Sequence, residues 1–304
     1  MNVIFMGTPE FAVPCLKALI SDGHTVTSVF TQPDKPVGRK QVLTAPPVKQ
    51  LALEHGIVVH QPVTLRKDEI VSLIQSQAPD VIAVTAYGKI LPKSVLDIPR
   101  YGCINVHASL LPAYRGAAPI QWSVINGEQV TGVTTMYMAP GIDTGDMIIK
   151  KETPIAPDET AGELHDRLKD IGAQALSETL SLIEGGKAPR TQQDDALCSL
   201  APMLSKAIAQ VDFTKSAAQV HNLIRGLSPW PVAFTQIDGK VLKIHKARVL
   251  EASGEAGTLL SDTQLIIACA QGAVELLEVQ YEGAKRMSAE LFLRGHRLQK
   301  GIRL

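Results

Sequence analysis

Apolar runs bounded by turn residues alternate with amphipathic stretches along the first half of the chain. Residues 3–6 (Val-Ile-Phe-Met) have the pattern of a buried strand, and Gly7-Thr8-Pro9-Glu10 turns the chain into an amphipathic helix ending near Gly23. A second strand is predicted at Thr25–Phe30. Then come a helix near 47–55, a short apolar run at 57–59, a helix from about 66 to 77 and the fully apolar strand Val81–Thr85. This βαβα rhythm predicts a parallel sheet with helices on both faces. Gly7 is not followed by a Gly-x-Gly-x-x-Gly pattern, so the dinucleotide fingerprint is missing. Further along, 103–106 is a buried strand, 118–126 a helix carrying Trp122, and 131–138 and 146–155 are strands. Residues 160–184 form a long amphipathic helix ended by Gly185-Gly186.

The pattern then changes. Residues 187–204 are mixed and polar, with Pro189 and Pro202, and have the character of a linker. A helix at Ala217–Gly226 is broken by Leu227-Ser228-Pro229-Trp230-Pro231. Short strand candidates follow at Ala233–Ile237, 241–249, 257–260, 264–268 and 274–280, separated by Gly, Asp and Ser. Strands of this length and spacing predict a small barrel. The expected organisation is a domain over 1–186, a linker over 187–205 and a smaller domain over 206–304, in line with roughly 150 residues per domain for a chain of 304.

Composition adds limits. Apolar content of 45% and charged content of 20% are those of an ordinary soluble globular protein. Cys15, Cys103, Cys198 and Cys269 show no Cys-x-x-Cys pair and no metal-ligand spacing, so buried thiols in a reducing cytoplasm and no metal are expected. Met-Asn-Val-Ile-Phe-Met-Gly lacks a basic region and runs straight into a strand, unlike a signal peptide. No apolar run approaches the length of a membrane span, so no membrane association is expected. Net charge is zero, yet residues 206–304 hold 13 Lys and Arg against 9 Asp and Glu. A basic second domain is a weak footprint of nucleic-acid contact. The loop over 31–49 is long for an α/β unit and carries Lys35, Arg39, Lys40 and Lys49 against Asp34; its prolines and Gly38 argue against regular structure.

The candidate chemistry gathers between Cys103 and Asp146. Side chains alternate along a strand, so Asn105 and His107 project together, and Leu111-Pro112 stops the strand just beyond them. Ligands bind where strands end in open α/β sheets. An amide can donate to a developing oxyanion, and an imidazole can hold or shuttle a proton near neutral pH. Asp143, in the turn Pro140-Gly141-Ile142-Asp143-Thr144-Gly145, can supply the carboxylate that favours an imidazolium. From spacing alone, this catalytic role and a purely structural one, in which the polar groups tie down loops, stand equal.

Asn105-Val106-His107-Ala108-Ser109-Leu110-Leu111-Pro112, Arg115-Gly116-Ala117-Ala118-Pro119-Ile120 and Gly141-Ile142-Asp143-Thr144-Gly145-Asp146 together resemble the folate-dependent formyltransferase family, over essentially the whole chain. The resemblance implies a Rossmann-like parallel-sheet formyltransferase domain followed by an OB-like β-barrel that binds tRNA. It implies Asn105, His107 and Asp143 as the catalytic trio, and Ser109, Leu110, Leu111 and Pro112 as the folate-binding stretch. Residues 86–92 would help wall the folate pocket, and the 31–49 loop would reach the acceptor end of tRNA with Arg39. The implied reaction moves a formyl group from 10-formyltetrahydrofolate to the α-amino group of methionine on initiator tRNA, in the cytoplasm and as a monomer. Two alternatives stay open. A formyltransferase acting on a small-molecule amine would share the trio but need neither the basic loop nor the second domain. A non-catalytic RNA-binding protein would leave the trio unexplained.

Overall fold

The computed structural model describes residues 1–38 and 40–304; Arg39, assigned to tRNA contact, lies outside the described residues. Two compact units are present. One comprises Met1–Gly116, Gly132–Thr153 and His165–Leu200, the other Ala117–Thr131, Pro154–Leu164 and Ala201–Leu304.

The chain opens with β1 (Asn2–Gly7), α1 (Val13–Ser21), β2 (Thr25–Phe30), the short strands β3 (Lys35–Val37) and β4 (Val42–Thr44), α2 (Pro47–Glu54) and β5 (Val59–His60). It continues through α3 (Asp68–Ser76), β6 (Val81–Thr85), α4 (Lys93–Leu96), β7 (Cys103–His107) and β8 (Arg115–Gly116). Next are α5 (Pro119–Ile125), β9 (Val130–Tyr137), β10 (Met147–Pro154), α6 (Ala161–Glu184) and β11 (Leu200–Ala201). Pro14 sits in the first turn of α1, where the missing N–H would have had no helical partner.

The seven-stranded sheet has the order β10-β9-β7-β6-β1-β2-β5. Its central pairs, β7–β6, β6–β1, β1–β2 and β2–β5, are parallel as the βαβα pattern predicts, and β9 joins β7 antiparallel. β6 and β7 are buried throughout, which is why they appear in the sequence as unbroken apolar runs apart from the functional positions. Ile4, Met6, Phe30, Ile82, Val84 and Tyr87 pack into one core cluster, each large apolar side chain contributing roughly 1.5–3 kcal/mol through burial.

The 31–49 loop is more regular than its prolines suggest. β3 and β4 form an antiparallel hairpin, with Pro36 opposite Leu43. A two-stranded hairpin leaves an outer edge on each strand, so proline is tolerated there. Lys49 is not available to a partner in the way a bare charge count implies, because its ammonium is 2.8 Å from Asp34 and 2.9 Å from the Gln61 side-chain oxygen. That hydrogen bond holds the Asp34 carboxyl below the usual carboxylate range.

In the second unit, α7 (Ala217–Gly226) precedes β12 (Ala233–Ile237), β13 (Lys240–Leu250), β14 (Ile266–Ala268), β15 (Ala273–Tyr281), β16 (Met287–Ser288) and α8 (Ala289–Gly295). A full capping box formed by Ser216 and Gln219 starts α7. The expected barrel is corrected here. The sheet runs β12-β13-β15-β14, with β16 on β15, and among the described residues no sheet closes on itself. Residues 257–260, expected as a strand, contribute only isolated bridges from Thr258 to Arg303 and from Leu259 to Ile267. A sheet can bury its apolar face by curling or by accepting helices. Here Val220 and Ile224 of α7 share a core with Leu242, Ile244, Val274 and Phe292, so helices cover the face. A cavity of about 310 Å³ in this unit is lined by His221, Arg225, His245, Lys246 and Arg286 among others, and none of the candidate trio takes part in it.

No helix among the described residues is long and apolar enough to cross a membrane. The four thiols are free, and all but Cys198 are buried. Burial pushes the Cys15 and Cys103 thiols up to about 12 and Cys269 up to about 11. Since the thiolate is the reactive form, Cys198 should be the thiol that a disulfide reagent modifies in the native protein, and the other three should react only in denaturant. Mass mapping of the modified peptides checks this; rapid native labelling of Cys103 would contradict the burial assigned to β7.

Candidate active site

Asn105 and His107 stand at the C-terminal end of β7, on one face as the alternation predicts. Asn105 lies opposite Met136, and His107 opposite Thr134, on β9. Both are buried, at 9% and 6% exposure, in a fold where buried polar groups need partners. The His107 Nε2–H donates to the Tyr114 carbonyl at 3.0 Å, while Nδ1 faces Asp143 Oδ2 at 3.6 Å. Asn105 Nδ2 lies 3.5 Å from Asp143 Oδ1, and the Gly116 N–H donates to Asp143 Oδ2 at 2.9 Å. The three side chains singled out in the sequence therefore meet around one carboxylate. An acceptor faces each ring nitrogen, the Tyr114 carbonyl within hydrogen-bond distance and the Asp143 carboxylate just beyond it.

The Asp143 turn is backbone-constrained. Asp143 itself adopts φ +54°, a left-handed conformation that asparagine and aspartate tolerate better than most residues. A Cβ on Gly145 would sit 1.6 Å from the Tyr137 carbonyl oxygen, so only glycine fits. A Cβ on Gly141 would meet the Thr144 hydroxyl at 2.3 Å, a side chain that can move.

The Ser109–Pro112 stretch divides in two. Ser109 and Leu111 are fully buried, whereas Leu110 and Pro112 keep accessible surface. Ser109 Oγ donates to the Ala113 carbonyl at 2.7 Å. The Thr134 hydroxyl donates to the Ser109 carbonyl at 2.7 Å and accepts the Leu111 N–H at 3.1 Å. Ser109 and Leu111 thus hold the turn, and Leu110 and Pro112 are the members a ligand can reach. In the neighbouring loop after β6, the Tyr87 carbonyl accepts from Thr8 Oγ1 and Gln32 Nε2, both at 3.1 Å, which ties that loop to β1 and β2. Ile90 in the same loop is 76% exposed and Ile142 beside Asp143 is 66% exposed, apolar surface of the kind a flat ring system can cover.

Four participants escaped the sequence reading: Thr134, the Tyr114 carbonyl, the Gly116 N–H and Gln193. Thr134 faces His107 by strand register, a signal that becomes readable once β7 and β9 are paired. Gln193 belongs to the stretch with linker character, yet it is buried and bonded to the Asp143 turn. Nothing in its local sequence marks it. Among the described residues no group of three or more His, Cys, Asp or Glu side chains is arranged to hold a metal ion.

Residues 1–180 match the family model described as formyl transferase, and residues 203–297 match formyl transferase, C-terminal domain. The chain belongs to the formyl transferase family. Its relatives include the methionyl-tRNA formyltransferase of Geotalea uraniireducens, 52% identical over 99% of this chain and 97% of the relative. That of Geobacter sulfurreducens is also 52% identical, over 100% of this chain and 96% of the relative. Among solved structures, the sugar 3N-formyl transferase WlaRD, crystallised with dTDP and 5-N-formyl-THF, aligns with a TM-score of 0.70 at 19% identity. The alignment covers 94% of this chain and 99% of that one. HypX from Aquifex aeolicus, in complex with tetrahydrofolic acid, aligns with a TM-score of 0.66 at 17% identity over 96% of this chain and 47% of that one. At those identities the likeness is one of fold alone.

Proposed function

We propose that this chain transfers a formyl group from 10-formyltetrahydrofolate to the α-amino group of methionine on initiator Met-tRNA, for translation initiation. The observation that carries this is the buried Asn105–His107–Asp143 cluster, in a chain whose likeness to methionyl-tRNA formyltransferases runs through both units. Residues 1–186 serve as the catalytic domain and 206–304 as the tRNA-binding domain, joined by 187–205. On the same grounds the reaction belongs in the cytoplasm, with a monomer as the working unit, since the cluster is complete within one chain.

Formyl folate supplies a formyl group whose amide resonance is weakened by the aryl-bearing nitrogen. Leu110, Pro112 and Ile90 offer the accessible apolar surface for its ring system, with Ser109 and Leu111 holding Leu110 and Pro112 in place. One Asn105 N–H spans 3.5 Å to Asp143, and the amide's second N–H is offered to the oxygen that gains negative charge as the amine attacks. His107 keeps one proton fixed on the Tyr114 carbonyl through Nε2. Its Nδ1 lies 3.6 Å from Asp143 Oδ2, beyond a strong hydrogen bond. That nitrogen is placed to pass a proton to the folate nitrogen as the folate nitrogen's bond to the formyl carbon breaks and the new bond to the methionine amine completes the transfer. Asp143 orients His107 and can accept the proton released by the amine. Arg39 and the basic hairpin loop are assigned to the acceptor end of tRNA, and the +4 balance of residues 206–304 to its body, through contacts that weaken as salt rises.

The test incubates the protein with 10-formyltetrahydrofolate and, separately, methionine-charged initiator tRNA, uncharged tRNA with free methionine, or amino sugars linked to a nucleotide. Formyl-methionine on tRNA is the expected product. Formylation of a small amine in preference to charged tRNA would transfer the assignment to a small-molecule formyltransferase. Binding of tRNA with no formyl transfer in any arm would leave an RNA-binding protein.

A further inference from the structure

The Asp143 turn does not hold itself. Its main-chain carbonyls at Asp143 and Gly145 each accept a hydrogen bond at 2.8 Å from one side chain, the Gln193 amide nitrogen. The oxygen of that amide accepts two bonds in turn, from Arg115 Nε at 2.9 Å and Nη2 at 2.7 Å. Gln193 and Arg115 are both buried, at 6% and 7% exposure. Arg115 ends on Asp195 at 2.8 Å, a carboxylate 84% exposed at its side chain.

The four bonds use the amide's full capacity in the plane: two N–H donors on two carbonyls, and two oxygen lone pairs on one guanidinium. They also fix its orientation. Rotating the amide by half a turn would set its oxygen against two carbonyls and its N–H groups against a guanidinium, with every contact repulsive. No other common side chain of this length offers two donors on one side and a double acceptor on the other.

The backbone held this way carries the carboxylate that meets His107 and Asn105. Asp143 lies at φ +54°, a conformation that persists where the surroundings enforce it, and its carboxylate position follows from that backbone. We infer that Gln193, oriented by Arg115, is a positioning residue for the reaction: it fixes the Asp143 turn so that the carboxylate stays against His107 and Asn105. This rests on the role proposed above for Asp143. It adds a residue some fifty positions away in sequence, outside every motif that carries the family resemblance.

The discriminating variant is Gln193→Glu. It preserves size and pairs with Arg115, so the buried guanidinium keeps a partner, but it exchanges two donors for an acceptor facing the Asp143 and Gly145 carbonyls. The experiment is a double-mutant cycle on the full chain with Asp143→Asn. Formylation of methionine-charged tRNA is followed in kcat and KM, with thermal melting as a check on folding. Gln193→Glu should lower kcat by about 10- to 100-fold, the scale of an ångström-level misplacement, with KM for both substrates held within about 3-fold. In the Asp143→Asn background the same change should cost less than about 2-fold, because the group it positions is already gone.

An unchanged kcat in Gln193→Glu would overturn the proposal. So would equal losses in the two backgrounds, which would make Gln193 an independent structural residue, or a change confined to KM. If Gln193→Glu does not fold, Gln193→Asn takes its place. It keeps the amide but is one methylene too short to span Arg115 and both carbonyls, so it should lose kcat by a smaller factor, and full activity would overturn the proposal. The two readings fail differently. Full activity in Asp143→Asn would remove Asp143 from the mechanism and the proposal with it, whereas an inactive Asp143→Asn beside a fully active Gln193→Glu removes Gln193 alone.

Discussion

His107→Ala is expected to lose at least ~100-fold in turnover, the scale of a general acid or an oxyanion donor, while retaining folate binding. The substitution removes the ring nitrogen that faces Asp143 at 3.6 Å, and no neighbouring side chain offers a replacement within the cluster described. Binding should survive because the accessible apolar surface at Leu110 and Pro112 is held by Ser109 and Thr134, which do not depend on the imidazole. Some stability should be lost as well. The buried hydrogen bond from His107 to the Tyr114 carbonyl at 3.0 Å is lost, and such a bond contributes roughly 0.5–1.5 kcal/mol. Turnover is therefore to be measured well below the melting transition of the variant. Asn105→Ala should show a loss of the same order with a smaller effect on stability, since its one hydrogen bond within the cluster is long. Near-normal turnover in either variant, with binding intact, would strike that residue from the mechanism.

The second large effect is expected from a residue that contributes no side chain. Gly145→Ala forces a Cβ to 1.6 Å from the Tyr137 carbonyl oxygen and 2.8 Å from its carbon, and neither is the end of a flexible chain. The turn must move away from β9, taking with it the Gly145 carbonyl that Gln193 holds and the Asp143 carboxylate nearby. Overpacking of this kind costs about 1–3 kcal/mol in stability. The displacement of Asp143 should lower turnover by on the order of 100-fold. Gly141→Ala is the comparison, expected to be milder because the atoms nearest its Cβ belong to the Thr144 side chain (Oγ1 at 2.3 Å, Cγ2 at 2.9 Å, Cβ at 3.2 Å) and none to the backbone. Urea unfolding and turnover measured on the pair decide the matter. Equal behaviour of the two variants, both close to the parent protein, would mean that the turn tolerates displacement and that its geometry is not what places Asp143.

Much of the first unit was legible because its physics is local. β1, β6 and β7 are buried on both faces, so their apolar runs stand out one after another, and the intervening amphipathic stretches mark helices that cover a parallel sheet. Asn105 and His107 were legible for the same reason: a period of two puts them on one face whatever the rest of the chain does. Asp143 was legible only as a carboxylate in a glycine-flanked turn, with the family resemblance linking it to the other two. Its actual partners required the fold. The Gly116 N–H and the Gln193 amide come from distant segments, and no spacing rule connects residues separated by 27 and 50 positions.

The second unit shows the same division. The spacing of turn residues anticipated short strands, and Ala233–Ile237 appears as read. Whether those strands would curl shut was not a local property. Closure depends on what else is available to bury the apolar face, and here α7, drawn from outside the strand run, packs against Leu242, Ile244 and Val274 and leaves the sheet open. The sequence by itself therefore determined which segments extend or coil and which polar side chains share a strand face, because burial imprints its period along a single element. Tertiary structure alone decided that the sheet of the second unit stays open and that a glutamine in a linker-like stretch holds the Asp143 turn, because hydrogen-bond satisfaction and the covering of apolar faces are settled between elements and leave no period along the chain.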